Sequence, residues 1–83
     1  MTDTIITKRD GAWTIGKIGS YQFEIKHFDK PSEWGIDEGK ISKLDIRKPG
    51  AATPIAAYDR GWGILPTSDN ELDITQAIID KFN

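Results

Sequence analysis

The chain has 83 residues, and this length predicts a single domain over residues 1–83. With 13 acidic and 11 basic side chains its net charge is −2, so it lacks the basic excess typical of nucleic-acid-binding proteins. The absence of cysteine excludes disulfides, thiolate catalysis and cysteine-ligated metals. It has no apolar run that could cross a membrane and no signal-peptide pattern, so we expect a cytoplasmic protein.

The first half of the chain predicts antiparallel β-structure. A β-branched run at residues 4–7 leads to Asp10-Gly11, a hairpin signal because glycine readily adopts positive φ. In the next run, residues 12–18, Gly16 indicates a bulge or a close neighbour. Residues 21–28 form the clearest strand, since apolar and polar side chains alternate along it. Such alternation is typical of an antiparallel sheet with one face in water.

The second half predicts the end of the sheet and one helix. Residues 40–47 and 55–58 have strand patterns, the latter as a fourth strand, and residues 64–67 are expected to end the sheet. Ser68 and Glu71 fit a capping box at the start of a helix. The apolar stripe of that helix comprises Ile74, Ala77, Ile78 and Phe82, widened by Leu72 and Ile79.

The predicted fold is therefore α+β. We expect an antiparallel, meander-like sheet of about four strands, with one C-terminal amphipathic helix packed on one face. That face would carry Tyr21, Phe23 and Ile25, which share one side of the clearest strand.

No catalytic, metal-binding or cofactor-binding motif is evident. His27 is the single histidine and could act with a carboxylate such as Glu24 or Asp59, but the simpler interpretation, which we favour, is a half-buried, hydrogen-bonded histidine at a strand end. The acidic segment 29–40 resembles a calcium loop only superficially, because its closing position is a lysine. The glycines lack the following helix that a phosphate-binding loop requires. We expect no catalytic residue, no metal and no cofactor.

Two groups of residues are candidates for binding. The weaker is a basic patch that could follow a nucleic-acid backbone or simply be a solvated strand face: Lys40, Lys43, Arg47 and Lys48. The stronger combines residue types that often dominate protein interfaces: Trp34, Tyr58, Arg60 and Trp62. In so small a domain the same aromatic side chains could instead form a structural corner, with Gly61 and Gly63 allowing the backbone to turn.

Several strings resemble a family of small uncharacterised proteins encoded by phages and prophages of Gram-positive bacteria. They are Lys-His-Phe at 26–28, Pro-Ser-Glu-Trp-Gly-Ile at 31–36, Gly-Lys-Ile-Ser-Lys-Leu at 39–44 and Tyr-Asp-Arg-Gly-Trp at 58–62. The resemblance covers roughly residues 20–65. It implies a phage accessory protein in a bacterial host cytoplasm, and it supplies no activity and no functional residues.

The expected function is a non-enzymatic protein-interaction module whose partner is a protein of unknown identity. One alternative is a nucleic-acid accessory protein using the basic patch, although the acidic net charge argues against it. Another is a small enzyme using His27 and a carboxylate. A homodimer formed through an exposed edge strand is compatible with all three.

Overall fold

The computed structural model describes residues 4–83 as one antiparallel sheet and one α-helix. Each of the six strands pairs with the next strand in the sequence, so the sheet is a meander. The strands are β1 (Thr4–Asp10), β2 (Trp13–Ile18), β3 (Tyr21–His27), β4 (Ile41–Arg47), β5 (Ala56–Asp59) and β6 (Trp62–Ile64). The α-helix is α1 (Asp69–Phe82), and a short 3-10 helix (Ile36–Glu38) lies between β3 and β4. The predicted α+β class is confirmed.

The predicted number of about four strands is wrong, because the sheet has six. The two edges explain the difference. β6 has three residues with Gly63 at its centre, too few side chains to display a period of two. β1 is exposed along nearly its whole length, so no alternation of apolar and polar residues marks where it ends.

The helix packs on the predicted face of the sheet. Tyr21, Phe23 and Ile25 are all buried there, and the rings of Phe23 and Phe82 lie 5.8 Å apart. The core is a single layer between sheet and helix. Its buried members are Ile18, Tyr21, Phe23, Ile25, Ile36, Ile41, Leu44, Ile46, Ala56, Tyr58, Ile74, Ile78, Ile79 and Phe82.

The start of α1 has the predicted capping interactions. The Ser68 hydroxyl accepts a hydrogen bond from the Glu71 amide at 3.1 Å. The Glu71 carboxylate accepts one from the Thr67 amide at 3.3 Å, one residue before the cap. Along the helix, Thr75 is buried whereas Ala77 is exposed, so the buried stripe is rotated relative to the predicted one.

The other end of α1 is tied to the connection between β3 and β4 by one side chain. Asn83 Oδ1 accepts hydrogen bonds from the backbone amides of Lys40 at 2.7 Å and Ile41 at 3.1 Å. Asn83 Nδ2 donates to the Ile36 carbonyl oxygen at 2.9 Å, and its backbone amide donates to Ile79 at 2.9 Å. A single amide side chain thus joins the helix to a segment more than forty positions earlier.

Gly16 lies on β2, and close packing against both neighbouring strands, β1 and β3, requires glycine there. A Cβ atom at this position would lie 2.7 Å from the Phe23 ring and would also collide with the Ile5 carbonyl oxygen. The expected close neighbour of Gly16 is therefore Phe23, its cross-strand partner.

We predict that Gly16→Ala lowers the free energy of unfolding by about 1–3 kcal/mol, because the added methyl group must displace a core ring or the backbone. Gly61→Ala is the matched control, since no atom lies within 4 Å of the corresponding Cβ position. Urea denaturation of both variants measures the difference. Equal stability of the two variants would contradict the packing explanation.

Candidate functional site

Of the four residues predicted to form an interaction surface, only Arg60 has a left-handed backbone conformation, and it lies in the tight turn between β5 and β6. Arg60 adopts a left-handed conformation with φ of 59°, which is uncommon for a residue other than glycine. The Asp59 amide donates to the Gly61 carbonyl at 3.0 Å and the Arg60 amide donates to the Ser42 carbonyl at 3.3 Å. Arg60, not Gly61 or Gly63, therefore carries the positive φ of this turn.

The four predicted surface residues divide into one core residue and three exposed ones. Tyr58 is 9% exposed, and its hydroxyl donates a hydrogen bond to the Trp34 carbonyl oxygen at 2.9 Å. Trp34 and Trp62 are 57% and 39% exposed, and Arg60 is also exposed. The rings of Tyr58 and Trp62 meet edge to face at 5.2 Å. Tyr58 therefore supports the Trp62 indole from the core and leaves part of it accessible.

Trp62 forms part of an apolar groove between β6 and α1. The groove has a volume of about 300 Å³. Its lining residues are Trp62, Leu65, Pro66, Leu72, Thr75, Gln76 and Ile79. Leu65 and Leu72 are 61% and 47% exposed, so three large apolar side chains are accessible along one short stretch of surface. Contiguous exposed apolar surface on a small domain is typical of a binding region.

Aspartates flank the outer side of the apolar groove. Each helical residue is rotated by about 100° from the one before it, which places Asp69, Asp73 and Asp80 on one stripe of α1 beside Leu72 and Gln76. All three aspartates are exposed. The Gln76 side chain donates to Asp80 at 2.9 Å and so connects the groove to this stripe.

The opposite face of the sheet contains a second concave region, the acidic cavity, of about 620 Å³. The Trp13 and Trp62 side chains line it, and its charged lining residues are Glu24, Asp45 and Asp59 together with Lys43. The Lys43–Asp59 ion pair is long, 3.9 Å, and mostly exposed, so it contributes little.

Glu24 faces Asp45 directly across β3 and β4, a like-charge pair that costs stability. Arg47 compensates: it donates two hydrogen bonds to Asp45, at 2.7 and 3.0 Å. This contact, with a smaller effect of Glu24, holds the pKa of Arg47 above its ordinary value. Among residues 4–83, Glu24 itself lies in no ion pair, so it is the least compensated acid in the cavity.

Gly61 and Gly63 leave the cavity open towards the edge of the sheet. Both residues line it, and neither has a positive φ. A Cβ at Gly61 would meet no atom within 4 Å, and one at Gly63 would meet only the Ala57 carbonyl at 3.8 Å. Packing therefore does not require glycine at either position. Their effect is to remove side chains from the cavity-facing side of β6.

The predicted basic patch is not assembled into one surface. Lys43 and Arg47 lie on the open face of β4, and each contacts an aspartate. Lys40 lies beside His27 in a different depression, which also contains residues of β1 and α1. Lys48 is exposed in the loop after β4.

His27 is half-buried at the end of β3 and hydrogen-bonded, in agreement with the simpler of the two sequence interpretations. Its Nε2 lies 3.0 Å from the Thr14 hydroxyl, and its ring lies 5.4 Å from that of Phe82. Burial lowers the pKa of His27, assisted by Arg9 and by a smaller effect of Lys40, while Asp29 opposes the shift.

The structure does not bring His27 together with the carboxylates considered as its catalytic partners. His27 contacts the helix side of the sheet, whereas Glu24 and Asp59 line the cavity on the other side. Residues 4–83 contain no cluster of three or more histidine, aspartate or glutamate side chains with metal-binding geometry.

A family model described as a domain of unknown function (DUF7678) matches residues 12–83. The chain belongs to this family. No curated protein and no solved structure shows a significant match. The phage-encoded origin implied by the resemblance stays a prediction. Within residues 4–83, α1 is neither long enough nor apolar enough to cross a membrane.

The sequence identified Trp62 as a candidate binding residue, but it did not identify the apolar residues that lie beside it in the groove. Leu65 and Pro66 were expected only to end the sheet, and Leu72 to widen the buried stripe of the helix. The exposure of Leu72 follows from the rotation of that stripe towards Thr75 and Ile79. Alternation of side chains along β6 could have revealed this strand, but three residues are too few to show a period of two.

Thr75 lies buried at the base of the apolar groove, and substituting it tests whether its hydroxyl is unsatisfied there. It is 3% exposed, and its hydroxyl has no hydrogen-bond partner among residues 4–83. We predict that Thr75→Val raises the free energy of unfolding by about 1 kcal/mol, because a methyl group replaces an unsatisfied hydroxyl of similar shape.

Thr14→Val is the matched control for this prediction. Thr14 is 1% exposed, but its hydroxyl is hydrogen-bonded to His27. The same substitution should therefore lower the free energy of unfolding by about 1 kcal/mol. Thermal and urea denaturation measure both effects, and a shift of the same sign in both variants would contradict the assignment.

Proposed function

We propose that this protein is a non-enzymatic interaction module that binds an extended segment of a partner protein along the free edge of β6. In that segment, apolar and basic side chains alternate. The observation that carries the proposal is the position of Trp62, on an edge strand with the apolar groove on one side and the acidic cavity on the other.

The first support is the free edge itself. Within residues 4–83, β6 pairs only with β5, so its outer side offers backbone groups to an added strand. Strand addition uses these backbone hydrogen bonds for affinity and the side-chain pockets for specificity. Because β6 has only three residues, we expect a transient complex with a dissociation constant on the order of 10 μM.

The second support is the different chemistry of the two sides. Successive side chains of a bound strand point to opposite faces of the sheet. One set would enter the apolar groove, next to Trp62, Leu65 and Leu72. The other set would pass over Gly63 towards the near edge of the acidic cavity, where Asp59 of β5 has only a long, mostly exposed ion pair with Lys43. Lysine and arginine have the length and the charge for that second position.

The third support is the charge of α1. The helix carries four acidic residues and one lysine, and its aspartate stripe borders the apolar groove. A basic partner segment is thus attracted from both sides of β6, which raises the rate of encounter. The four lysine and arginine residues of the basic patch are dispersed, so no observation favours the nucleic-acid alternative. The phage origin and the bacterial cytoplasm remain predictions about its setting.

The central test is selection from a random displayed-peptide library on the immobilised chain, followed by fluorescence anisotropy of the selected peptides. We expect sequences in which apolar residues alternate with lysine or arginine. Trp62→Ala should weaken their binding roughly thirtyfold, because a partly buried aromatic anchor is worth about 2 kcal/mol.

Trp34→Ala is the matched control, since Trp34 is also an exposed tryptophan but does not line the apolar groove. Its effect on affinity should stay within about twofold. Equal losses in the two variants, or selected peptides without alternation, would refute the proposed site. Self-association that Trp62→Ala abolishes, seen by light scattering, would instead place a second copy of the chain at this edge.

Gly63→Thr separates binding from folding. Threonine favours strands, so the free energy of unfolding should stay the same or rise by up to about 1 kcal/mol. The new side chain would fill the passage from the edge to the acidic cavity, so peptide affinity should fall about tenfold. Calorimetric melting and anisotropy measure the two quantities. Unchanged affinity would show that the bound side chains do not cross Gly63.

A further inference from the structure

A separate depression lies where β1, the end of β3 and the end of α1 meet. Its volume is about 430 Å³, within the range of small-molecule sites. Its lining residues are Arg9, His27, Phe28, Asp29, Lys40, Lys81 and Phe82. None of them lines the apolar groove or the acidic cavity, so this basic depression is independent of the proposed protein-binding edge.

The basic depression gathers cations from three parts of the chain. Arg9 belongs to β1, Lys40 directly precedes β4, and Lys81 lies in the last turn of α1. Within residues 4–83 none of these three forms an ion pair; the two ion pairs present involve Lys43 and Arg47. Like charges brought together without a partner repel one another. In a chain of net charge −2, this convergence is not a consequence of overall composition.

Two neighbouring groups reduce the positive charge without cancelling it. Asp29 contributes one negative charge, and the carboxyl end of a helix contributes roughly half of one. Against three cations this leaves a net charge of roughly +1.5. The pKa of His27 is lowered mainly by burial and then by Arg9, while Asp29 opposes the shift and Lys40 adds a smaller lowering effect.

We propose that the basic depression binds a phosphate group, either as free phosphate or as a small phosphate monoester. Arginine and lysine are the side chains that phosphate oxygens prefer, and here they approach from separate elements. His27 is held in place by its contact with the Thr14 hydroxyl, and it supplies a further polar group beside the cations. The backbone of Lys40 is held in place, because its amide donates a hydrogen bond to the Asn83 side chain.

The test is an NMR titration of the full chain with inorganic phosphate at constant ionic strength maintained with sodium chloride. We expect saturable shifts confined to amides around the basic depression, with a dissociation constant of about 1 mM or tighter. A parallel titration with glycerol phosphate separates the two sources. Tighter binding of the ester assigns the site to a monoester, and equal binding assigns it to free phosphate.

Arg9→Ala and Lys40→Ala should each weaken phosphate binding about tenfold, since each removes a charge-assisted hydrogen bond. Lys48→Ala is the matched control, because it removes the same charge from an exposed loop outside the depression. Amide dispersion in the same spectra shows that each variant is folded. Equal losses with Lys40→Ala and Lys48→Ala, or shifts that do not saturate, would overturn the site.

The His27 ring provides a second readout. Bound phosphate adds negative charge beside the imidazole and opposes the effects of Arg9 and Lys40, so the pKa of His27 should rise on saturation. Ring-proton shifts followed from pH 5 to pH 8, the range around the ordinary histidine pKa, measure this change. An unchanged pKa at saturation would place the anion elsewhere and overturn the proposal.

Discussion

The structure depends on one helix covering one face of one sheet. The contact between Phe82 and Phe23, with Ile74 and Ile78 beside it, closes a core that is a single layer deep. A chain of this length can build only two layers, so the second face and both edges of the sheet remain unburied. Charged residues can occupy that second face because the one α-helix of residues 4–83 covers the other. Both candidate sites lie at the boundaries of the covered area.

Features determined by neighbouring residues could be predicted from the sequence. The alternation in β3 and the pairing of Ser68 with Glu71 are local patterns, and the structure contains both. β6 could not be predicted, because one tryptophan and one isoleucine on either side of a glycine show no periodicity. The left-handed Arg60 was equally hidden, since the adjacent Gly61 was the natural candidate for a positive φ.

Sites built from distant segments required the fold. Arg9 and Lys81 come from opposite ends of the chain, and no spacing rule connects them with Lys40. The basic cluster seen in the sequence was misleading for the same reason: Lys40 and Lys43 are close in sequence, yet they line different depressions. Short-range patterns identified the helix and the strands other than β6, whereas the register of the strands determined which charges meet.

The Asn83 side chain has a consequence for how the molecule opens. Helix ends normally fray independently of the rest of a protein, because their last backbone groups lack partners. Here the side-chain amide of Asn83, the residue directly after α1, holds the Ile36 carbonyl and the Lys40 and Ile41 amides at once. Fraying of the helix would therefore release the β3–β4 connection and the first hydrogen bonds of β4. The end of the helix and the β3–β4 connection therefore open together, and the backbone amides of these two segments should show the same protection from hydrogen exchange.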